Sequence, residues 1–376
     1  MRKIASHFLI SGGELIQRPL VTVNDSGEIV AVEKNVENVD SLSGVEFYSG
    51  IIIPGMVNSH CHLEYSYVFG KIPAGGGLPK FISSIIGIKI NDTTPDSEKS
   101  RAAQVQDAIM ASEGVVAVGD HNNNDYVYEV KEKSNIYYHS FVEMYDFDDM
   151  SADDTFYLAL GRVAEHEKRG LAATVSPHAT YTMEDRLIAL CGGSELSDKG
   201  EKATGAMSVH FKESIEMAGE LEADRLLPRV SPDRDSILFV HSIYASKEDI
   251  DRAVELYGDK LTVVVCPLSN LYIENNITDI NYLREKGVRI ALGTDSLSSN
   301  NLLSMVAEMH CIADRYRDVP LTEIVKWATQ NGAEAICKAD TFGKVEVGMK
   351  CGLVNITSLD LENMRLTESS KGVRIV

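Results

Sequence analysis

Four histidines and two carboxylates are spaced so that they could share one metal ion and one water. The run Asn58-Ser59-His60-Cys61-His62 puts two imidazoles at alternate positions. On an extended chain, alternate side chains point to one side, so His60 and His62 face together and Cys61 faces away. Farther along, Glu213 follows His210 by three residues, His241 closes an apolar run, and Asp295 sits in Gly293-Thr294-Asp295-Ser296. Imidazole and carboxylate donors suit one borderline divalent ion, zinc or else ferrous iron, with a coordination position left for water. The chemistry such a site supports is hydrolysis by an acidified water. Singly, each feature has a plainer reading: a strand-end Asp caps a helix, and a lone His on an apolar strand packs in a core.

The set becomes coherent through the elements that carry it. Short apolar runs at 51–57, 115–119, 136–144, 171–176, 206–211, 236–241, 261–266 and 288–293 read as strands buried on both faces. Helical patterns lie between most of them, at 97–113, 151–169, 184–191, 212–223, 246–258 and 279–286, and two more follow at 303–316 and 321–338. This alternation predicts an α/β fold, a (β/α)8 TIM-like barrel over 51–342. The candidate residues fall just past the first, fifth, sixth and eighth strands, the end at which such barrels build active sites. The β-rich segments 1–50 and 343–376 are punctuated by turn residues and are expected to pair as one small composite β-domain. Gly75-Gly76-Gly77 precedes Leu-Pro rather than a phosphate-binding lysine and reads as a flexible loop.

Composition narrows the function further. The 376 residues include 36 Lys plus Arg and 56 Asp plus Glu, a net charge of −20. So acidic a chain argues against nucleic acid and against an anionic membrane surface as partners. At 44% hydrophobic it is globular rather than disordered. No apolar run reaches the length of a membrane span, and the N-terminus, interrupted by His7, shows no clean signal sequence. Six irregularly spaced cysteines without a C-x-x-C pair read as reduced thiols in a cytoplasmic protein. The expected partner is a small-molecule substrate, and the sequence is compatible with a homo-oligomer.

The segments PGMVNSHCH, HFKE, FVHS, CPLSN and GTDS resemble the amidohydrolase superfamily, more narrowly its deaminase and triazine-hydrolase branch. The resemblance extends through WATQNGAEAICKADTFGKVEVGMKCGLVNI, so it covers nearly the whole chain. It implies metal ligation by His60, His62, His210 and Asp295. It also implies Glu213 as proton shuttle, Asp295 as acceptor of the water proton, and His241 as the group that positions the water and the oxyanion. No lysine replaces SPHATY after the fourth strand, which argues against the dinuclear carbamylated-lysine subtype. Leu268 stands where many relatives carry Arg. HCHLE followed by GGGLPKFISSI is most similar to the aminofutalosine deaminase group. The activity implied is hydrolytic deamination of a small aminated heterocycle or purine nucleoside-like compound. The alternatives are cleavage of an amide or carbon–halogen bond at the same site, and a non-catalytic barrel scaffold.

Further candidates are substrate contacts. Glu64, two residues past His62, could bond a substrate hydroxyl or cap a loop; His178 in SPHATY could meet substrate; Asn270 and Asn300 could serve substrate or turns. His121, His139, His166 and His310 read as structural or surface histidines. The acidic run 146–154 lacks a calcium loop's Gly and Glu and reads as solvated surface leading into a helix.

Overall fold

A computed structural model describes residues 1–147 and 149–376. Asp148 of the acidic run lies outside the described residues; the helix after it, Ala152–Lys168, starts where the Ser151 side chain accepts the Asp154 N–H.

Among the described residues fifteen strands form: β1 (Arg2–Ser11), β2 (Glu14–Gln17), β3 (Leu20–Val23), β4 (Ile29–Glu33), β5 (Glu46–Pro54), β6 (Met56–Cys61), β7 (Val115–His121), β8 (Tyr137–Met144), β9 (Ala172–Pro177), β10 (Ala206–Phe211), β11 (Ser236–His241), β12 (Leu261–Val265), β13 (Arg289–Leu292), β14 (Leu353–Thr357) and β15 (Lys371–Arg374). The fold is α/β with parallel strands. β6-β7-β8-β9 make one four-stranded sheet and β10-β11-β12-β13 another, each parallel throughout. Strands from the two chain ends share a third, seven-stranded sheet, in which β14 pairs antiparallel with β5.

The apolar run 51–57, expected as one strand, is divided. Ile51–Ile53 belong to β5 in the terminal sheet, and β6 starts after Gly55. Gly55 is held tightly: its N–H reaches the Cys351 carbonyl at 3.0 Å, and any Cβ there would collide with Val116. The break falls at Pro54-Gly55, the turn dipeptide that interrupts the apolar run.

The parallel strands are buried on both faces, so adjacent residues feed different cores. On β11, Ile237 and Phe239 pack with Leu187, Leu226 and Tyr257. Leu238 and Val240 pack instead with Val264, Ala291 and, from the other sheet, Phe141. Truncating a buried aromatic such as Phe239 to Ala costs about 3–5 kcal/mol.

The eight strands do not form one continuous ladder. Among the described residues β9 and β10 are joined by the single backbone bridge Ala179–His210, and β6 and the segment after β13 by Cys61–Asp295; both are parallel. At the first seam the buried Arg234 guanidinium donates to the carbonyls of Val175 and Ala206, at 2.9 and 2.8 Å. It thereby satisfies backbone acceptors that have no ladder partner.

Candidate active site

Each candidate residue sits where a parallel strand ends. His60 lies in β6 and His62 just beyond it, His210 in β10, and His241 at the last position of β11. Asp295 follows β13 by three residues. Gly293 allows this: a Cβ there would lie 2.8 Å from the Cβ of His60, so β13 approaches β6 only as glycine. The Thr294 and Asp295 N–H groups both reach the His60 carbonyl at 3.0 Å. Lys212, His241 and Asp295 all take left-handed backbone conformations, with φ of 48°, 69° and 57°. Non-glycine residues at positive φ concentrate at functional sites, because the surrounding structure must hold them there.

The geometry gathers these residues. Ligand atoms of His60, His62, His121 and His210 lie within 4.8 Å of one another, as do those of His60, His241 and Asp295. Asp295 Oδ1 is 3.7 Å from Nε2 of both His60 and His62. Its other oxygen, Oδ2, accepts from Ser269 and Ser299 at 2.7 and 2.8 Å, which fixes the carboxylate and leaves Oδ1 toward the imidazoles. Nδ1 of His210 donates to the His178 carbonyl at 3.1 Å, so Nε2 faces the cluster.

A divalent ion fits this donor set. Both nitrogens of His60, and Nδ1 of His62, are buried without a hydrogen-bond partner. Unpartnered buried polar atoms are costly unless something takes their lone pairs. Burial also pushes His60 well below the ordinary histidine range and His62 down to about 4, so both are neutral, as ligands must be. His121 differs although it is as close. Its Nδ1 meets Glu143 Oε1 and its Nε2 meets Ser208 Oγ, both at 2.8 Å. With both nitrogens engaged it has no free lone pair to offer.

Two more groups stand beside the imidazoles of His60, His62 and His210, and of the two only Glu213 is outside every such ligand group. His241 donates from Nδ1 to Asn270 Oδ1 at 2.7 Å, which turns Nε2 inward. Glu213 Oε2 lies 3.7 Å from that Nε2, and Oε1 accepts from the Tyr181 hydroxyl at 2.5 Å. The helix expected over 212–223 is absent. Glu213 precedes a single turn, Ile215–Ala218, that ends at Gly219, and a second short helix, Glu222–Leu226, follows. Glu213 is therefore held by Tyr181 and the strand end rather than by a helix.

The same segments match the amidohydrolase family over residues 51–373, most of the chain. The chain belongs to this family. It is 26% identical to a 5-methylthioadenosine/S-adenosylhomocysteine deaminase of Natronomonas pharaonis, covering 96% of this chain and 85% of the relative. A solved aminofutalosine deaminase of Helicobacter pylori, bound to methylthio-coformycin, superposes over 100% of both chains with a TM-score of 0.75 at 20% identity. A solved adenosine deaminase of Xanthomonas campestris with bound zinc superposes with a TM-score of 0.77 at 22% identity, covering 97% of this chain and 87% of that one.

In this amidohydrolase a cavity of about 340 Å³ opens above the cluster. His178 lines it, and its Nδ1 is engaged by Thr182 at 2.8 Å. Glu64 does not line it. Its Oε2 accepts from Asn122 Nδ2 and from the N–H groups of Asn123 and Asn124 at 2.9–3.1 Å, so it caps the loop after β7. Asn270 serves His241, not the cavity. Asn300 bonds the Thr294 carbonyl and Glu308 at 3.0 and 2.9 Å, which braces the Asp295 loop. These three depart from the expected substrate contacts because loops carrying chemistry need their own polar supports.

His121, expected as structural or surface, stands inside the site, and Glu143 beside it was missed. Glu143 lines the cavity, and although burial alone would raise it, His178 and His121 hold it well below the usual carboxylate range. A Glu near the end of the apolar strand 136–144 was the available signal. Glu308 went unread too. Fully buried, it accepts from the Leu268 N–H and Asn300 at 2.9 Å each, tying the segment that holds His241 to the one that holds Asp295.

Proposed function

We propose that this amidohydrolase is a metal-dependent deaminase of a small aminated heterocycle, purine-like in size. The observation that carries this reading is the pairing of two unlike groups. Buried, unpartnered imidazole nitrogens face Asp295 Oδ1, and beside them stands a carboxylate, Glu213, that belongs to no ligand set. We assign His60, His62, His210 and Asp295 as the ligands of one divalent transition ion, zinc before ferrous iron. When bound, such an ion lowers the pKa of a water toward neutrality.

The chain's own residues do the rest. Asp295, its Oδ2 tied down by two serines, presents Oδ1 to accept the proton of the attacking water. His241, fixed by Asn270, aims Nε2 at the incoming oxygen. Glu213 delivers a proton to the ring nitrogen beside the attacked carbon, so charge does not build up on the ring, and then serves the departing amine. Collapse of the tetrahedral carbon expels ammonia. His178 and Glu143 line the floor where the ring's polar edge would lie. The relatives named as deaminases of adenosine-like compounds support this substrate class.

We further read the two parallel sheets as one closed (β/α)8 barrel over 51–342, joined through the Cys61–Asp295 and Ala179–His210 bridges. In this reading the terminal sheet is a separate small domain. A small molecule is the partner, and the cytoplasm the compartment. Among the described residues no helix is long and apolar enough to cross a membrane, and all six cysteines are free.

The test is a panel of aminated purines, nucleosides, pterins and triazines offered to metal-assayed protein, with ammonia as the readout. Ammonia release from at least one, lost on chelation and regained with zinc, is the expected result. Halide release or amide cleavage without ammonia would assign the site to the rival chemistry.

A further inference from the structure

One wall of the cavity has a different character from its floor. It is made by the helix α1 (Gly77–Asn91), which lies beside the helix Pro267–Glu274. The start of α1 is fastened there: the Leu78 N–H donates to Glu274 Oε1 at 2.8 Å, and the Gly75 N–H to the Tyr272 carbonyl at 2.7 Å; its far end is held by an ion pair of the cap Asp92 with Lys99 at 2.7 Å. Leu78, Phe81, Ile82, Ile85 and Ile86 line the cavity at the three- and four-residue spacing of one helix face, and Ile273 lines it too. Of the α1 residues only Leu78 is buried, and Ile86 is 50% exposed. An apolar stripe of this kind, facing a cavity instead of protein, lacks the apolar partner that the rest of the fold gives its hydrophobic faces.

The charges around the cavity run one way. Its floor holds Glu143, Glu213 and Asp295, and among the described residues its lining includes no arginine and one lysine. The single lining lysine is Lys89, exposed in the last turn of α1, with Nζ 4.9 Å from the Tyr65 ring centroid. A carboxylate or phosphate directed at α1 would meet isoleucines and lose its hydration without a fixed counter-charge. A polyhydroxylated group would likewise find no acceptor among the α1 lining residues.

We propose that α1 selects the substrate by its tail. The substrate carries an uncharged apolar substituent on the ring edge opposite the reacting amine, and this tail packs on Ile82, Ile85 and Phe81. The proposal rests on the deaminase reading for the orientation of the ring, and it adds the class of substituent. It assigns α1 a role in specificity and none in the chemical step.

Three probes with tails of equal chain length test it: N9-pentyladenine, N9-(4-hydroxybutyl)adenine and N9-(3-carboxypropyl)adenine, with binding measured on zinc-loaded full-length protein and ammonia release followed in parallel. The pentyl probe is expected to bind at least about tenfold more tightly than either other probe, the scale set by apolar-pocket discrimination. Ile82→Asn and Ile85→Asn, made separately, should shrink that preference to about twofold or less with metal content unchanged. Equal binding of the three probes by the wild type would overturn the proposal. So would tightest binding of the carboxylate probe, lost in Lys89→Ala, or no binding of any probe. A pentyl preference without ammonia from any probe would uphold the apolar wall and sink the deaminase reading. Ammonia released without a preference would do the reverse.

Discussion

The floor of the cavity and its α1 wall are built on opposite principles. On the floor, the polar groups are oriented from behind: Asp295 by two serines, His241 by Asn270, His210 by a carbonyl, Glu213 by Tyr181. The wall is a largely unburied helix held at its two ends, at Leu78 by Glu274 and at its cap Asp92 by Lys99, while the residues lining the cavity between them are, apart from Lys89, apolar. Hydrolysis requires groups held in fixed positions, because misplaced charges lose their effect. Discrimination by an apolar tail requires only area and shape. The chemistry of this protein is thus a property of strand ends, and its substrate preference a property of a helix that no strand fixes.

The contrast can be broken or sharpened at graded cost. Removing a floor ligand should do most. His60→Ala or Asp295→Ala should empty the metal site by elemental analysis and abolish turnover, a loss beyond the about 10²–10⁴ that general acid–base catalysis is worth. A variant that kept both metal and turnover would remove that residue from the ligand set. Next come the supports behind the floor. Ser269→Ala and Asn270→Ala should each cost about 10–100-fold in metal affinity or kcat, with the fold intact. Wild-type kinetics in both would mean that the floor is no more fixed than the wall.

A smaller effect is expected at His178, where Ala should raise KM and leave metal content unchanged. The smallest lies behind the floor at Glu222, which accepts from the Lys212 N–H at 2.8 Å and from Thr180 at 3.1 Å. Burial raises its pKa from 4.5 to about 7. Folding therefore favours the protonated form. The stability this group contributes is fully present below about pH 4.5 and is lost as pH rises through about 7. Glu222→Gln keeps an acceptor for Lys212 and can donate to the Thr180 hydroxyl, yet cannot ionise. Its stability advantage over the wild type should grow from about pH 5 to pH 8, toward about 3 kcal/mol. Parallel unfolding curves at both pH values would show that Glu222 is not the titrating group.

Much of the floor is legible in the sequence. His60, His62, His210, His241 and Asp295 each stand at or near the end of a short apolar run, and hydrophobicity alone locates such runs. Seven of the eight expected strands lie within a residue or two of their observed bounds. The first did not, because Ile51–Ile53 and Met56–Val57 are equally apolar and the Pro54-Gly55 turn signal between them was outweighed by that hydrophobicity. The supports were less legible. Glu64, Asn270 and Asn300 have the right residue types for substrate contact, but their partners are set by loops far apart in sequence. His121 and Glu143 were passed over because an ionisable residue within an apolar strand looks like core until its neighbours are known. The α1 face was hidden for a related reason: its isoleucines look like ordinary core residues until the cavity opposite them is seen.

Glu213 is the residue that separates a hydrolase from a bare metal site. Glu213→Gln retains size and a hydrogen-bond acceptor for Tyr181 but cannot shuttle a proton. Metal content, melting temperature and steady-state kinetics should be measured on one preparation with the best substrate of the panel. Metal content and melting temperature should be unchanged and KM near normal, with kcat lowered at least about a hundredfold. Full turnover with a lowered melting temperature would contradict it, and would leave Glu213 as a structural residue at the end of a strand.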